Sequence, residues 1–213
     1  MKRVVVALLM LAACKKPEPS FAALDAIYAT RKEPIPPAAC RKADEAEALA
    51  KGAYDEKALK GVAKPSPEAS FMIAHAVFDA SSARAPELEA ALACPGFAAA
   101  RHLAGKAAIA AKDLDAAKTY FEDAKAIAPT WLDNRASLAG VLLQLKDPQA
   151  KKEIDAIIAD DANYAPGHLL KFSALWLDGD TYNARVALCA AYRLGSAQAA
   201  SKLDALQLNC DQP

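Results

Sequence analysis

From Pro95 onward the chain repeats itself at an interval close to 34 residues. Gly105 and Ala139 stand 34 apart; Ala108, Leu142 and Leu175 step by 34 and 33; Pro95, Pro129, Ala162 and Ser196 step by 34, 33 and 34. A period of this size belongs to arrays of stacked helix-turn-helix units. One unit cannot bury its apolar face alone, so each must stack on the next, and neighbours in sequence become neighbours in space. The composition agrees: 54% of residues are hydrophobic but only 7% are aromatic. An apolar fraction made largely of alanine favours closely packed helices over strands of branched residues.

The first copy, RHLAGKAAIAAKDLDAAKTYFEDAKAIAPTW, carries Gly105 for a close helix approach. Ala117-x3-Phe121 and Ala124 form an interlocking set in its second helix, and Pro129 closes the unit. The second copy has Ala139, Leu142, Ala150 and Ile154, and the third has Leu175, Ala184, Leu188 and Ala191. Asp113, Asp147 and Asp180 stand at the turn before each second helix, where a carboxylate satisfies exposed amide groups. In these residues the chain resembles the tetratricopeptide repeat family. Arg101, in place of a large aromatic, and Phe172, in place of glycine or alanine, depart from the family pattern. The resemblance implies an all-α fold, a right-handed helix-turn-helix solenoid of about three units, with a concave groove lined by the first helix of each. It places His102, Lys106, Ile109, Asp133, Ala136, Leu143, Gln144, Leu169, Ser173 and Trp176 along that groove as partner-binding residues. The paired asparagines and lysines with which some relatives clamp a terminal carboxylate are missing. An extended or helical segment of a protein is therefore the expected guest.

Upstream, residues 21–94 read as a divergent helical region. Phe21 to Thr30 and Ala38 to Lys51 are expected as two helices divided by the stiff Glu33-Pro-Ile-Pro-Pro37 segment. Pro67 to Ala80, started by Ser66, and Pro86 to Ala93 form a further helix pair. Residues 95–213 are the repeat array, closed by an amphipathic capping helix over Ser196 to Leu208 after Gly195.

The start of the chain bears on location. Met1-Lys2-Arg3 and the ten apolar residues Val4 to Ala13 have the n-region and h-region of an export signal. That run is too short for a bilayer core about 30 Å thick, which needs roughly 20 helical residues. Leu11-Ala12-Ala13-Cys14 resembles a bacterial lipobox, which implies removal of residues 1–13, lipidation of Cys14, and a tether over residues 14–20. Multiple acyl chains anchor stably where one does not. Lys15 and Lys16 are not the aspartate signal of inner-membrane retention, so the expected location is the outer membrane, facing the periplasm.

In such a compartment the remaining Cys40, Cys94, Cys189 and Cys210 are expected to be oxidised, with four buried thiols as the alternative. Four cysteines allow three pairings. Cys94 and Cys189 lie three repeats apart, beyond the roughly 7 Å Cα limit of a bridge, and Cys40 with Cys189 meets the same obstacle unless the N-terminal helices fold back across the array; the expected pairing is Cys40 with Cys94 and Cys189 with Cys210. The second pairing carries a condition: a straight last helix would overshoot Cys189 by about 12 Å at 1.5 Å per residue, so that helix must stop early and its tail turn inward.

Without residues 1–13, 24 basic and 26 acidic residues remain, and no basic field gathers nucleic acid. His75, His102 and His168 have no second ligand at helical spacing, so neither a metal nor any other cofactor is expected. Asp178-Gly179-Asp180 lacks the later ligands of a calcium loop, Gly105-Lys106 lacks the frame of a phosphate loop, and no serine sits in a glycine elbow. The expected function is non-enzymatic: an envelope adaptor that binds a protein partner through its groove. The alternative is a small-ligand-binding lipoprotein that works with a transporter.

Overall fold

The computed structural model describes residues 21–59, 64–81 and 86–210. These form twelve α-helices and one 3-10 turn, and no strand occurs among the described residues. The expected export signal, Cys14 and the tether lie outside them. The upstream helices are α1 (Ala22–Arg31), α2 (Ala46–Lys51), α3 (Glu56–Leu59), α4 (Pro67–Ser81) and α5 (Pro86–Leu92). Then come α6 (Ala98–Ala110), α7 (Leu114–Ile127), α8 (Leu132–Gln144), α9 (Gln149–Asp160), α10 (Ala165–Leu177), α11 (Thr181–Arg193) and α12 (Ala197–Leu206). From α4 onward every helix packs on its successor, and α4 with α6 and α8 with α10 also meet across the helix between them.

The period is visible in the backbone. Lys112, Lys146 and Gly179, at steps of 34 and 33, all take left-handed conformations, with φ of 63°, 57° and 81°. After each, an aspartate amide reaches back five residues: Asp113 to the Ala108 carbonyl, Asp147 to Leu142, and Asp180 to Leu175, at 2.9, 2.8 and 3.0 Å. These bonds satisfy carbonyls that a helix end leaves open. Asp113 and Asp180 then cap the next helix, accepting from the amides of Ala116 and Asn183 at 3.0 and 3.2 Å. Asp147 differs. Pro148 is the N-cap of α9, and Asp147 accepts from the Gln149 amide at 2.9 Å while binding Lys118 Nζ at 2.8 Å.

Size compensation between paired helices is seen at Gly105, whereas the bulk of Phe172 is taken up in the last core cluster. Gly105, Ala139 and Phe172 are equivalent by the period, as are Phe121, Ile154 and Leu188. The smallest residue of the first set faces the largest of the second, and Phe172 faces Leu188 in the last core cluster with Ala184 and Leu203. A Cβ on Gly105 would stand 2.6 to 2.8 Å from three carbons of the fully buried Phe121 ring. A Cβ on Gly140 would meet only Leu170 Cδ2, at 3.7 Å. Gly140→Ala should therefore stabilise by about 0.5–1 kcal/mol through helix propensity. Gly105→Ala should destabilise despite the same propensity gain, and Gly105→Leu by about 1–3 kcal/mol or more through overpacking. Urea melts of the three variants check this, and equal shifts for Gly105→Ala and Gly140→Ala would reject the close approach.

Upstream, α1, α4 and α5 lie where the sequence predicts, and Ser66 Oγ accepts from the Ala69 amide at 3.2 Å. The helix expected over Ala38 to Lys51 is split. A 3-10 turn covers Ala38–Cys40, Arg41 is extended (φ −117°, ψ 148°), and α2 begins only at Ala46. The break lets Cys40 reach Cys94 while Arg41 turns to the buried carboxylate of Glu68. Both expected bridges are present, Cys40–Cys94 and Cys189–Cys210, with Cα separations of 5.7 and 5.5 Å. For the second, α12 stops at Leu206, Gln207 turns left-handed (φ 52°), and the Leu208 amide closes on the Leu203 carbonyl at 2.9 Å. The tail so reversed presents Cys210 to Cys189, and Arg193 donates to its carbonyl at 3.3 Å.

The main core does not divide at residue 95. Leu24, Tyr28, Leu49, Phe71 and Met72 share one cluster with Phe97, Leu103 and Trp131. The upstream helices thus share their core with α6 and with Trp131 before α8 rather than form a body of their own.

Candidate functional site

Even-numbered helices supply one face of the molecule, and a cleft of about 460 Å³ runs along it. His102 and Lys106 of α6, Asp133 and Ala136 of α8, and Leu169 and Ser173 of α10 line it. Two neighbouring clefts adjoin it at Ser173, which lines all three. One, of about 920 Å³, is lined by Leu143, Gln144, Leu170 and Leu177. The other, of about 400 Å³, is lined by Phe172, Trp176, Lys202 and Leu206. Nine of the ten residues expected along a groove therefore border adjoining clefts. Ile109 instead packs, partly buried, against the cluster of Ala108, Phe121, Leu138 and Leu142.

Trp176 is 41% exposed and Leu177 70% exposed, large apolar surface left to water at the end of α10. Trp176 stacks at a tilt on Phe172, with ring centres 5.6 Å apart, and Lys202 Nζ lies 5.6 Å from the Phe172 ring. Ser173 has its hydroxyl turned back onto the Leu169 carbonyl at 3.0 Å, so it offers the cleft mostly its small size. Sequence reasoning missed Tyr164, Gln198 and Lys202. Gln198 and Lys202 are four apart on α12, whose Ala199 and Leu203 are buried. That spacing was the available signal for a polar stripe beside the groove.

At the other end of the cleft the chemistry becomes polar. Asn134 is fully buried; its amide nitrogen donates to the Phe121 carbonyl at 2.9 Å, and its carbonyl oxygen lies 3.0 Å from His102 Nδ1. With the amide so oriented, Nδ1 carries the proton and Nε2 is left as an acceptor. The imidazole is held between Trp131 and Phe121, with ring centres 4.6 and 5.3 Å away. Burial lowers its pKa, the Asn134 bond opposes that, and Lys106 lowers it further, with Asp133 and Glu33 also opposing. The ring is therefore neutral at neutral pH. Because the folded pKa lies below the unfolded value near 6.5, this contribution to stability is complete above about pH 6.5 and is lost as pH falls below it. Melting temperature should fall between pH 7 and pH 5 more steeply in the wild type than in His102→Gln; parallel profiles would contradict the assigned neutral ring.

Asp133 Oδ1 accepts from the Tyr164 hydroxyl at 2.5 Å, which ties α8 to the start of α10 within the cleft wall. Behind the groove, Arg135 is 6% exposed and binds Glu153 Oε1 at 2.7 Å and Asp160. Burial pushes the Glu153 carboxyl up, but Arg135 and Lys125 hold it below its ordinary value. This network joins α7, α8 and α9 and keeps the groove wall rigid. Among the described residues no cluster of histidine, cysteine or carboxylate side chains is arranged to hold a metal ion. Nor is any described helix long and apolar enough to cross a membrane. Comparison with protein-family models, with curated proteins and with solved structures returns no match.

Proposed function

We propose that this protein is a lipid-anchored adaptor of the bacterial cell envelope, a tetratricopeptide-like solenoid that holds a segment of another envelope protein in its groove. The carrying observation is that the clefts adjoin at Ser173: apolar Trp176, Leu177, Leu143 and Leu169 line them together with Lys106, Asp133 and Gln144. Adjoining clefts of mixed character several side chains long suit an extended or helical peptide. The helix-pair spacing, the repeated left-handed turns and the capping role of α12 support the solenoid reading. The two bridges support an oxidising compartment. Lipidation at Cys14 and the outer-membrane, periplasm-facing location rest on the lipobox resemblance alone.

A crossed experiment separates anchoring from binding. Cys14→Ser should release the chain from membranes washed at high salt and alkaline pH, yet leave partner crosslinking intact. Trp176→Ala with Leu143→Ala should leave the chain on the membrane and weaken crosslinking by tenfold or more, because aromatic anchors dominate interface energies. A Cys14→Ser chain that stays on membranes would sink the anchor. Loss of crosslinking on charge reversal behind the groove, at Lys125 or Lys152, but not on loss of Trp176 and Leu143, would sink the groove.

A further inference from the structure

Where the groove meets the upstream helices, a further and more enclosed cleft of about 210 Å³ lies between Arg31 and Glu33, at and just past the end of α1, and His102, Lys106, Trp131 and Asp133. His102, Lys106 and Asp133 line both clefts, so this pocket opens from the polar end of the groove. Its volume corresponds to about seven liquid waters at roughly 30 Å³ each. That is room for a small organic molecule and too little for a folded peptide segment.

The walls hold charges of both signs with separate duties. Glu33 is spent: it accepts from Arg31 Nε at 3.0 Å and from the Tyr54 hydroxyl at 2.6 Å. Tyr54 also lies flat against the Arg31 guanidinium, 3.9 Å from its centre, and Arg31 Nη2 stands 3.0 Å from His75 Nε2. Arg31 is thereby fixed in place as a cation at the cleft wall. On the opposite wall two acceptors remain open: among the described residues none donates a hydrogen bond to Asp133 Oδ2 or His102 Nε2, and neither atom is sealed from solvent. The Asn134 bond dictates that Nε2 faces out as a lone pair. Lys106 adds a second cation on the His102 side.

We propose that this cleft binds a small zwitterion of the α-amino acid class, its ammonium group on Asp133 Oδ2 and His102 Nε2 and its carboxylate on Arg31 and Lys106. Such a ligand brings donors to the two open acceptors and sets its carboxylate beside Lys106 and beside Arg31, which Glu33 and His75 already hold in position. It is neutral overall, as the set of Arg31, Lys106, Glu33 and Asp133 is. A simple anion would meet Asp133 and Glu33, and a simple cation would meet Arg31 and Lys106. Partly enclosed walls strengthen each of these charge-assisted bonds relative to open water.

Calorimetric titration of the full chain with free neutral, acidic and basic α-amino acids tests this, each beside its N-acetyl and its amide derivative. At least one free amino acid should bind saturably, with both blocked forms at least tenfold weaker. Asp133→Asn and Lys106→Met should each lower that affinity at least tenfold without lowering the melting temperature of the unliganded chain by more than a few degrees. Absence of binding by every free amino acid overturns the proposal. So does equal binding of the blocked forms, or unchanged affinity in both variants. The site shares His102, Lys106 and Asp133 with the groove, but Trp176 and Leu143 lie outside it, so their replacement should weaken partner crosslinking and leave amino acid binding unchanged.

Discussion

Replacing Cys40 and Cys94 with serine should cost about 4 kcal/mol of stability, the chain-entropy value for cross-linking residues separated by 54 positions. The segment it closes is poorly equipped to fold otherwise. Helix α2 has 6 residues and α3 has 4, well below the length at which an isolated helix persists in water. Cys40 is fully buried and Cys94 5% exposed, in the cluster shared with Phe71, Phe97 and Leu103. Loss of the bridge should thus expose the first repeat's core as well. The bridge from Cys189 to Cys210 spans 21 positions and should be worth about 3 kcal/mol on the same basis. Denaturation of the oxidised chain and of each double serine variant measures both. Unchanged midpoints would show that the upstream helices hold the first repeat without covalent help.

The second large effect is expected at Arg41 and Glu68. Glu68 is fully buried, and Arg41 Nε reaches its Oε2 at 3.0 Å while Nη1 reaches Asp25 Oδ1 at 2.8 Å. The Phe21 ring covers the guanidinium, 4.0 Å from its centre. Burial raises the Glu68 pKa even though Arg41 opposes the shift, so pairing does not fully offset the cost of placing this charge in the core. Removing one partner strands the other. Arg41→Ala and Glu68→Ala should each destabilise by about 3–5 kcal/mol. The apolar double replacement Arg41→Met with Glu68→Leu should recover most of the loss, since exchange of a buried pair for packed hydrophobic groups is often close to neutral. A double-mutant cycle in urea decides it, and single variants within 1 kcal/mol of the parent would show that water replaces the missing partner.

Much of the repeat region was legible because its rules are local. Asp113 and Asp180 cap helices that start one residue later, and Gly105 meets Phe121 sixteen positions away. The pairing of Cys189 with Cys210 needed one non-local condition, an early stop of the last helix, and the turn at Gln207 supplies it. Misreadings fall where a distant partner outweighs local preference. The helix expected over Ala38 to Lys51 breaks at Arg41 because Cys94 and Glu68 claim its residues. Ile109 has the period of a groove residue, but a cluster from α7 and α8 covers it. Asp147 leaves the cap position to Pro148, yet still accepts from the Gln149 amide as its place in the turn predicts, and adds a bond to Lys118 of α7.

The sequence by itself determined the all-α class, the interval of the helix pairs, the positions of their turns and nine residues of the adjoining clefts. Apolar period, caps and small residues act within a few positions or recur at a fixed step, so they can be read without coordinates. Only the tertiary structure decided how residues 21–94 sit on the first repeat. No repeat relates Arg31, Glu33 and Tyr54 to His102, Lys106 and Asp133, and no spacing announces that a buried Asn134 sets the tautomer of His102. Arg31 and Glu33 stand about 70 to 100 positions from His102, Lys106 and Asp133, in an upstream region without periodicity, where side-chain packing and the burial of Arg41 and Glu68 select one arrangement among many that the same local signals would allow.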